Sequence, residues 1–353
     1  MGAHGMPMNR REFIWALGAS AAVCGRGTAS GSVLRSEPDF AWSYLGHFGM
    51  NCWKDQLTQD PGAKVSGRFW VEPNSADYVR FSETLWRRLT ERLRAGGCNQ
   101  IVIDLAEIVE YPSHPELAVR GSWSPNRLRG EIARLRAMGF EVVPKLNFSA
   151  THDAWLKDYH RMVSTRKYYE VCADVIRDVV EMFDGPRLFH LGFDEETAHS
   201  QRRHEYVAVR QGELWWHDFL YLVGIVEKAG CRPWIWSDFC WHHEEEFLKR
   251  MPRSVLQSNW YYNENFAPKD EKELGYVRTF DKLDRAGFDQ VPAGSNVLGV
   301  KNLPNMIDYC RRHCTYARLK GYMMASWALT LPENEKWADE SVDILAACVR
   351  AGR

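Results

Sequence analysis

Charge of one sign is what this chain most plainly lacks: 45 Lys and Arg stand against 46 Asp and Glu, for a formal net charge of -1. No field is there to draw in nucleic acid or an anionic membrane, and no stripe of basic residues interleaved with aromatics marks a nucleic-acid surface. A glycine-rich phosphate loop is missing too. Gly46-His47-Phe48-Gly49-Met50-Asn51, behind the first apolar run, has the wrong spacing for a dinucleotide fingerprint. The nine cysteines have no metal-type spacing. Cys310 and Cys314 sit four apart on an expected helix, where a disulfide would be strained and a zinc ion would need two more soft ligands. Buried free thiols are the expectation. Trp241-His242-His243-Glu244-Glu245-Glu246 lacks the i,i+4 histidine pair of a zinc helix and reads as a solvated helix start. Neither a cofactor nor a metal is expected. Long apolar runs are also scarce. The stretch Trp15 to Cys24 is too short to cross a bilayer, so no stable membrane insertion is expected.

That short stretch has a different meaning. Asn9-Arg10-Arg11-Glu12-Phe13-Ile14 resembles a twin-arginine export motif, followed by small apolar residues and a processing site near Thr28-Ala29. Residues 1–30 are therefore expected to be an export signal that sends the protein to the periplasm or outside the cell. Residues 31–353 are then the folded domain. Lipidation at Cys24 is a minor alternative, because Val23 fits a lipoprotein cleavage box poorly.

From Tyr44 onward, β-rich runs alternate with amphipathic helical stretches. The runs are 44–50, 100–105, 141–148, 188–193, 232–239, 255–262, 290–296 and 322–329; the helices fall at 82–95, 126–138, 168–183, 213–229, 244–250, 276–286, 303–319 and 339–349. Several helices stop at Gly just ahead of the next strand. Eight strand–helix units in one domain predict a single (β/α)8 TIM barrel, an α/β fold, with an open doubly wound sheet as the runner-up.

A barrel does its chemistry at the C-terminal ends of its strands. Those ends carry His47 and Asn51, Asp104 and Glu107, Asn147 and His152, Asp194 and Glu195, Trp236-Ser237-Asp238, Asn259-Trp260-Tyr261, Ser295-Asn296, and Ser326-Trp327. The most telling of these ends is Phe189-His190-Leu191-Gly192-Phe193-Asp194-Glu195-Glu196, an apolar strand that delivers acids into open space. Adjacent carboxylates disfavour each other's ionisation. The bland reading makes Asp194 and Glu195 a structural ion pair with Arg202 or Arg203. Strict alternation would send the two acids to opposite faces, so one must lie past the regular strand where the backbone turns. The 15 Trp residues suit stacking on sugar faces as well as core packing.

His190-x-Gly192-Phe193-Asp194-Glu195 resembles the His-x-Gly-Gly-Asp-Glu signature of glycoside hydrolase family 20, the β-N-acetylhexosaminidases, with Phe193 in place of the second glycine. Val143-Pro144-Lys145-Leu146-Asn147 through His152 resembles that family's strand-three segment. Pro115-Glu116-Leu117 with Gly121, Trp236-Ser237-Asp238, Trp260 and Trp327 extend the likeness across residues 97 to 330. The resemblance implies cofactor-free hydrolysis in which the substrate's own 2-acetamido oxygen attacks the anomeric carbon. It implies that Glu195, kept neutral by Asp194, protonates the leaving oxygen. Asp194 would hold the acetamide N–H, and His152 would orient Glu195. Trp236, Trp260 and Trp327 would wall the acetamido pocket, with Asp238, Asn147 and His190 as further binding residues and a carbohydrate as partner.

The departures cluster on substrate grip. The family's strand-one Arg, its Glu after the strand-eight Trp and its strand-seven Tyr are absent from Gly49-Met50-Asn51, Trp327-Ala328-Leu329 and Ala293-Gly294-Ser295-Asn296, while Lys145 and Asn147 replace Glu and Asp. Two other classes stay open: a non-catalytic exported carbohydrate-binding barrel, and a metal-dependent barrel hydrolase, for which only His47 of the usual strand-one histidine pair is present.

Overall fold

A computed structural model describes residues 40–49, 78–202 and 204–352. The expected export signal at 1–30, together with Asn51 and Arg203, lies outside the described residues. The strands are β1 (Ala41–His47), β2 (Gln100–Asp104), β3 (Glu141–Lys145), β4 (Leu188–His190), β5 (Arg232–Trp236), β6 (Leu256–Ser258), β7 (Ala293–Gly294) and β8 (Gly321–Ala325). All pair in parallel, in the order β6-β5-β4-β3-β2-β1-β8-β7. Between β6 and β7 the bridges Gln257↔Gln290 and Trp260↔Ala293 complete the ring. The structure is the single (β/α)8 barrel expected, not the open sheet.

Around it run α1 (Glu83–Ala95), α2 (Pro125–Ala137), α3 (Arg166–Met182), α4 (Glu213–Lys228), α5 (Phe239–His242), α6 (Glu244–Arg250), α7 (Glu271–Arg285), α8 (Asn302–His313) and α9 (Glu335–Gly352). Their starts are written locally. Ser82, Ser124, Thr165 and Asp270 each accept a backbone N–H three residues on, capping α1, α2, α3 and α7. Buried residues at helical spacing, such as Leu85, Leu89 and Leu93 on α1, seat each helix on the outside of the strands. Among the described residues no helix is long and apolar enough to cross a membrane, and the described cysteines are free thiols, all but Cys314 buried.

Period-2 alternation stacks the barrel interior in layers. Leu45, Val102, Val143, Leu188, Trp234 and Leu256 point inward and form an apolar floor with Val291 and Met323. Two residues further along the same strands come His47, Asp104, Lys145, His190, Trp236 and Ser258, all buried. The next turn of chain beyond this mostly polar layer forms the mouth.

Candidate active site

The acids leave β4 by an unusual path. His190 Nδ1 accepts the Gly192 N–H at 3.0 Å, after which Gly192, Phe193 and Glu195 have φ of 73°, 71° and 57°. A Cβ on Gly192 would lie 2.1 Å from Asn147 Oδ1, so only glycine fits there. Asn147 is the clasp. Its Oδ1 accepts the N–H groups of Ser149 at 3.0 Å and Phe193 at 3.2 Å, which leaves Nδ2 to donate to Asp194 Oδ1 at 2.7 Å. The left-handed residues re-aim the chain, and both Asp194 and Glu195 face one cavity despite their adjacent positions.

His152 sits between them. Its Nε2 is 3.3 Å from Glu195 Oε2 and 3.5 Å from Asp194 Oδ2. Burial would depress the imidazolium, but the Asp194 and Glu195 charges outweigh it and lift its pKa to about 9. For Glu195, burial pushes the carboxyl up, and the hydrogen bond and charge of His152 pull it further down, to below its ordinary value. This corrects one expectation: in the unliganded site the Asp194 charge does not keep Glu195 neutral, because the nearer His152 cation wins. The raised carboxyl is Asp238, lifted to about 8 by burial and by the charges of Asp194 and Glu195. Asp238 Oδ2 accepts the Glu195 N–H at 2.7 Å, and Oδ1 accepts the Trp260 indole N–H at 3.3 Å. One carboxyl therefore ties the acid's backbone to the pocket wall.

The cavity measures about 210 Å³ and is lined by Asp104, Lys145, Asn147, His152, Trp155, Asp194, Glu195, Trp260, Tyr262 and Trp327, among others. Trp260 and Trp327 thus stand where expected. Trp236 and His190 do not. Both point into the barrel with rings 4.7 Å apart, in the buried layer at the base of the cavity, where the lining reaches Asp104 and Lys145 on β2 and β3 but not the β4 and β5 side. They support the floor; they do not wall the pocket. Asp238 acts from behind the lining, and His47 is likewise buried below, 3.6 Å from Asp104. Arg202 donates to the His199 carbonyl, so it is not the partner of the acid pair.

Several residues escaped the sequence reading. Tyr262 stacks on Trp260, with centroids 4.9 Å apart, and its buried hydroxyl lies beside the Trp327 indole N–H. Both line the cavity. The signal was there, since Tyr262 follows Trp260 by two residues. Trp155 donates to the Asn147 carbonyl at 2.9 Å and braces the clasp. Glu196 turns away from the mouth into a fully buried pair with Arg210, which also donates to the Phe148 carbonyl at 2.7 Å. His152, Asp194 and Glu195 offer ligand atoms within 4.8 Å of one another, a spacing that a metal ion would fit. Without an ion, the charges of the same two carboxylates hold the proton on His152.

No protein-family model and no curated protein matches this sequence. Solved structures do match it. Dispersin B superposes with a TM-score of 0.52 at 13% identity, over 76% of this chain and 95% of Dispersin B. The family 20 exo-β-N-acetylglucosaminidase from Vibrio harveyi gives 0.58 at 15% identity, over 88% of this chain and 54% of that one. The N-acetyl-β-hexosaminidase from Streptomyces plicatus gives 0.57 at 14%, over 88% and 63%. The chain thus spans nearly all of Dispersin B and between half and two thirds of the other two. At such identities the likeness is one of fold, and it is the fold that the resemblance at Asp194-Glu195 implied.

Proposed function

We propose that this protein is a divergent family 20 glycoside hydrolase that removes a terminal N-acetylhexosamine by substrate assistance. The observation that supports it most is the convergence of Asp194, Glu195 and His152 on a cavity with room for one sugar ring, walled by Trp260, Tyr262 and Trp327. The acetamido oxygen attacks the anomeric carbon as the bond to the leaving oxygen breaks, and Glu195 protonates that oxygen. Asp194, fixed by Asn147, holds the acetamide N–H and stabilises the oxazolinium cation. The Tyr262 hydroxyl donates to the acetamide oxygen, standing in for the missing strand-seven Tyr. Water then attacks the anomeric carbon as its bond to the acetamido oxygen breaks, with Glu195 accepting the water proton, and both the acetamide and the acid are restored.

The proton comes from the His152–Glu195 pair. Glu195 is half-exposed in the free protein, with 44% of its side chain accessible. A sugar that covers it strips away water, raises the cost of its charge and moves the shared proton from His152 to the carboxylate. The N-terminal segment fits export, so we place the activity outside the cytoplasm.

The test compares aryl N-acetyl-glucosaminide with aryl glucoside for wild type, Asp194→Asn and Glu195→Gln. Cleavage of the acetamido substrate alone, lost in both variants, is the expected result. Equal cleavage of the glucoside would overturn substrate assistance. Unchanged sugar binding with no turnover in wild type or Glu195→Gln would identify a binding protein instead.

A further inference from the structure

The outward face of α4 carries almost no charge. Between Leu214 and Val226 its one charged residue is Asp218, which is buried and turned inward against Arg210. Leu214, Leu220 and Tyr221 stand 46%, 40% and 38% exposed on the opposite side, with His217 and Gly224 among them. Trp215, Trp216, Phe219, Leu222, Val223 and Val226 pack inward, so the helix is apolar nearly all round. A helix of that kind is normally covered on both sides. α1, by contrast, shows solvent Glu83, Arg87, Glu91 and Arg94. The bare patch continues onto α3, where the Tyr169 ring lies 4.8 Å from that of Tyr221. A contiguous exposed apolar surface marks an interaction site.

The charges that bound the face narrow what covers it. Glu213 opens the helix and Lys228 closes it. At 3.6 residues per turn, Glu213, His217, Gly224 and Lys228 fall within about 60° of one another around the helix, along the middle of the face. Laid parallel on a second copy, two such helices would set like charges side by side at both ends. Laid antiparallel about a two-fold axis that passes between Leu220 and Tyr221, they set Glu213 level with Lys228 of the partner subunit, twice over. The same axis sets the bulky His217 opposite Gly224 of the partner subunit. A Cβ added to Gly224 would meet nothing within 4 Å, so that position leaves room for a large neighbour. Leu220 and Tyr221 then meet their own copies at the centre. A closed two-fold contact needs this self-complementarity, with each pairing made in both directions. Exposed ion pairs add little affinity, so the ends fix direction and register while the apolar centre supplies the attraction.

We propose that this face is the contact between two copies of this chain, α4 packed against α4 antiparallel about a two-fold axis at Leu220 and Tyr221. The proposal stands apart from the hydrolase reading, and its test does not depend on turnover.

Sedimentation equilibrium from micromolar to millimolar concentration follows the mass of wild type, Leu220→Arg, Glu213→Lys and Lys228→Glu. Wild type is expected to form a reversible dimer. Leu220→Arg sets two like charges across the axis and should weaken the dimer at least about 10-fold. Glu213→Lys and Lys228→Glu should each weaken it alone, yet their equimolar mixture should regain it, because only the mixed pair sets unlike charges at both ends. If a variant fails to fold, His217→Cys/Gly224→Cys decides. Its two thiols are two turns apart in one chain, about 10 Å, too far for an internal disulfide, so oxidation should join two chains, whereas Glu91→Cys on α1 should stay monomeric. A wild type that remains monomeric at millimolar concentration, or a Leu220→Arg that dimerises as wild type does, would overturn the interface. A mixture no better than either charge variant alone, or a cysteine pair that links chains no faster than Glu91→Cys, would overturn its antiparallel arrangement.

Discussion

Replacing Arg210 by Met should destabilise this barrel more than almost any other single polar change. The guanidinium is 1% exposed and lies against Glu196 (2%) and Asp218 (1%). It donates from Nε to Glu196 Oε1 at 2.8 Å and from Nη1 to Asp218 Oδ2 at 3.5 Å, and it covers the Phe193 ring at 5.0 Å. Removing one partner of such a cluster strands buried charge and costs about 3–5 kcal/mol. The neighbours argue for the lower end. Glu196 keeps the backbone N–H groups of Ala150 at 2.9 Å and Arg210 at 3.0 Å. Asp218 keeps the hydroxyls of Ser164 at 2.6 Å and Tyr169 at 2.5 Å. A loss of about 3 kcal/mol in urea denaturation is expected, with a fall in Tm on the order of 5–10 °C. Arg210→Met/Glu196→Gln should regain part of it, because a neutral amide tolerates burial better than an unpaired carboxylate. Since Glu196 adjoins Glu195 and bonds to the loop before His152, sugar hydrolysis should weaken as well. A loss below about 1 kcal/mol would refute the view that this pair locks the loop that carries Asp194 and Glu195.

Three further outcomes are expected. His152 binds its proton at about pH 9 in the fold against an ordinary 6.5, so the stability it adds is complete below about 6.5 and disappears as the pH rises through 9; Asp238, raised from 3.8 to about 8, acts in the same direction. The urea midpoint should therefore fall between pH 6.5 and 9, and His152→Asn should flatten that slope. Gly192→Ala forces a methyl against Asn147 Oδ1 at a positive φ and should lower kcat on the order of 100-fold, by displacing Asn147 from Asp194. Trp327→Phe should raise KM several-fold, whereas Trp236→Phe, below the cavity, should cost roughly 1–3 kcal/mol in stability with KM unchanged; a raised KM for Trp236→Phe would contradict the layer assignment.

Much of this fold could be read from the chain because period and punctuation agree. Ser82, Glu213 and Glu244 mark the starts of α1, α4 and α6 as expected, and each of the eight strands overlaps its β-rich run, β1 beginning three residues ahead of it. The ends of the strands were read too long. The run 141–148 pairs only to Lys145, and 188–193 only to His190, because apolar residues continue past the ladder into loops that pack on helices or line the mouth. Hydrophobicity reports burial, and at a barrel rim burial outlasts hydrogen-bonded pairing. The acids, His152, Asn147, Trp260 and Trp327 were legible from local motifs. Tyr262 and the depth of Trp236 were not, since one residue's difference in where pairing stops decides which side chains rise into the cavity. Protonation was least legible of all. Asp194 and Glu195 are neighbours in sequence, but the nearest charge to Glu195 comes from His152, more than forty residues earlier.

The carboxyl of Asp238 holds the amide of Glu195 with one oxygen and the indole of Trp260 with the other. The width of the cavity and the aim of Glu195 are therefore set by a single joint. A guest that leans on the indole transmits its push to the Glu195 main chain, and a lineage that widened the cavity by moving Trp260 would have to re-aim Glu195 in the same step.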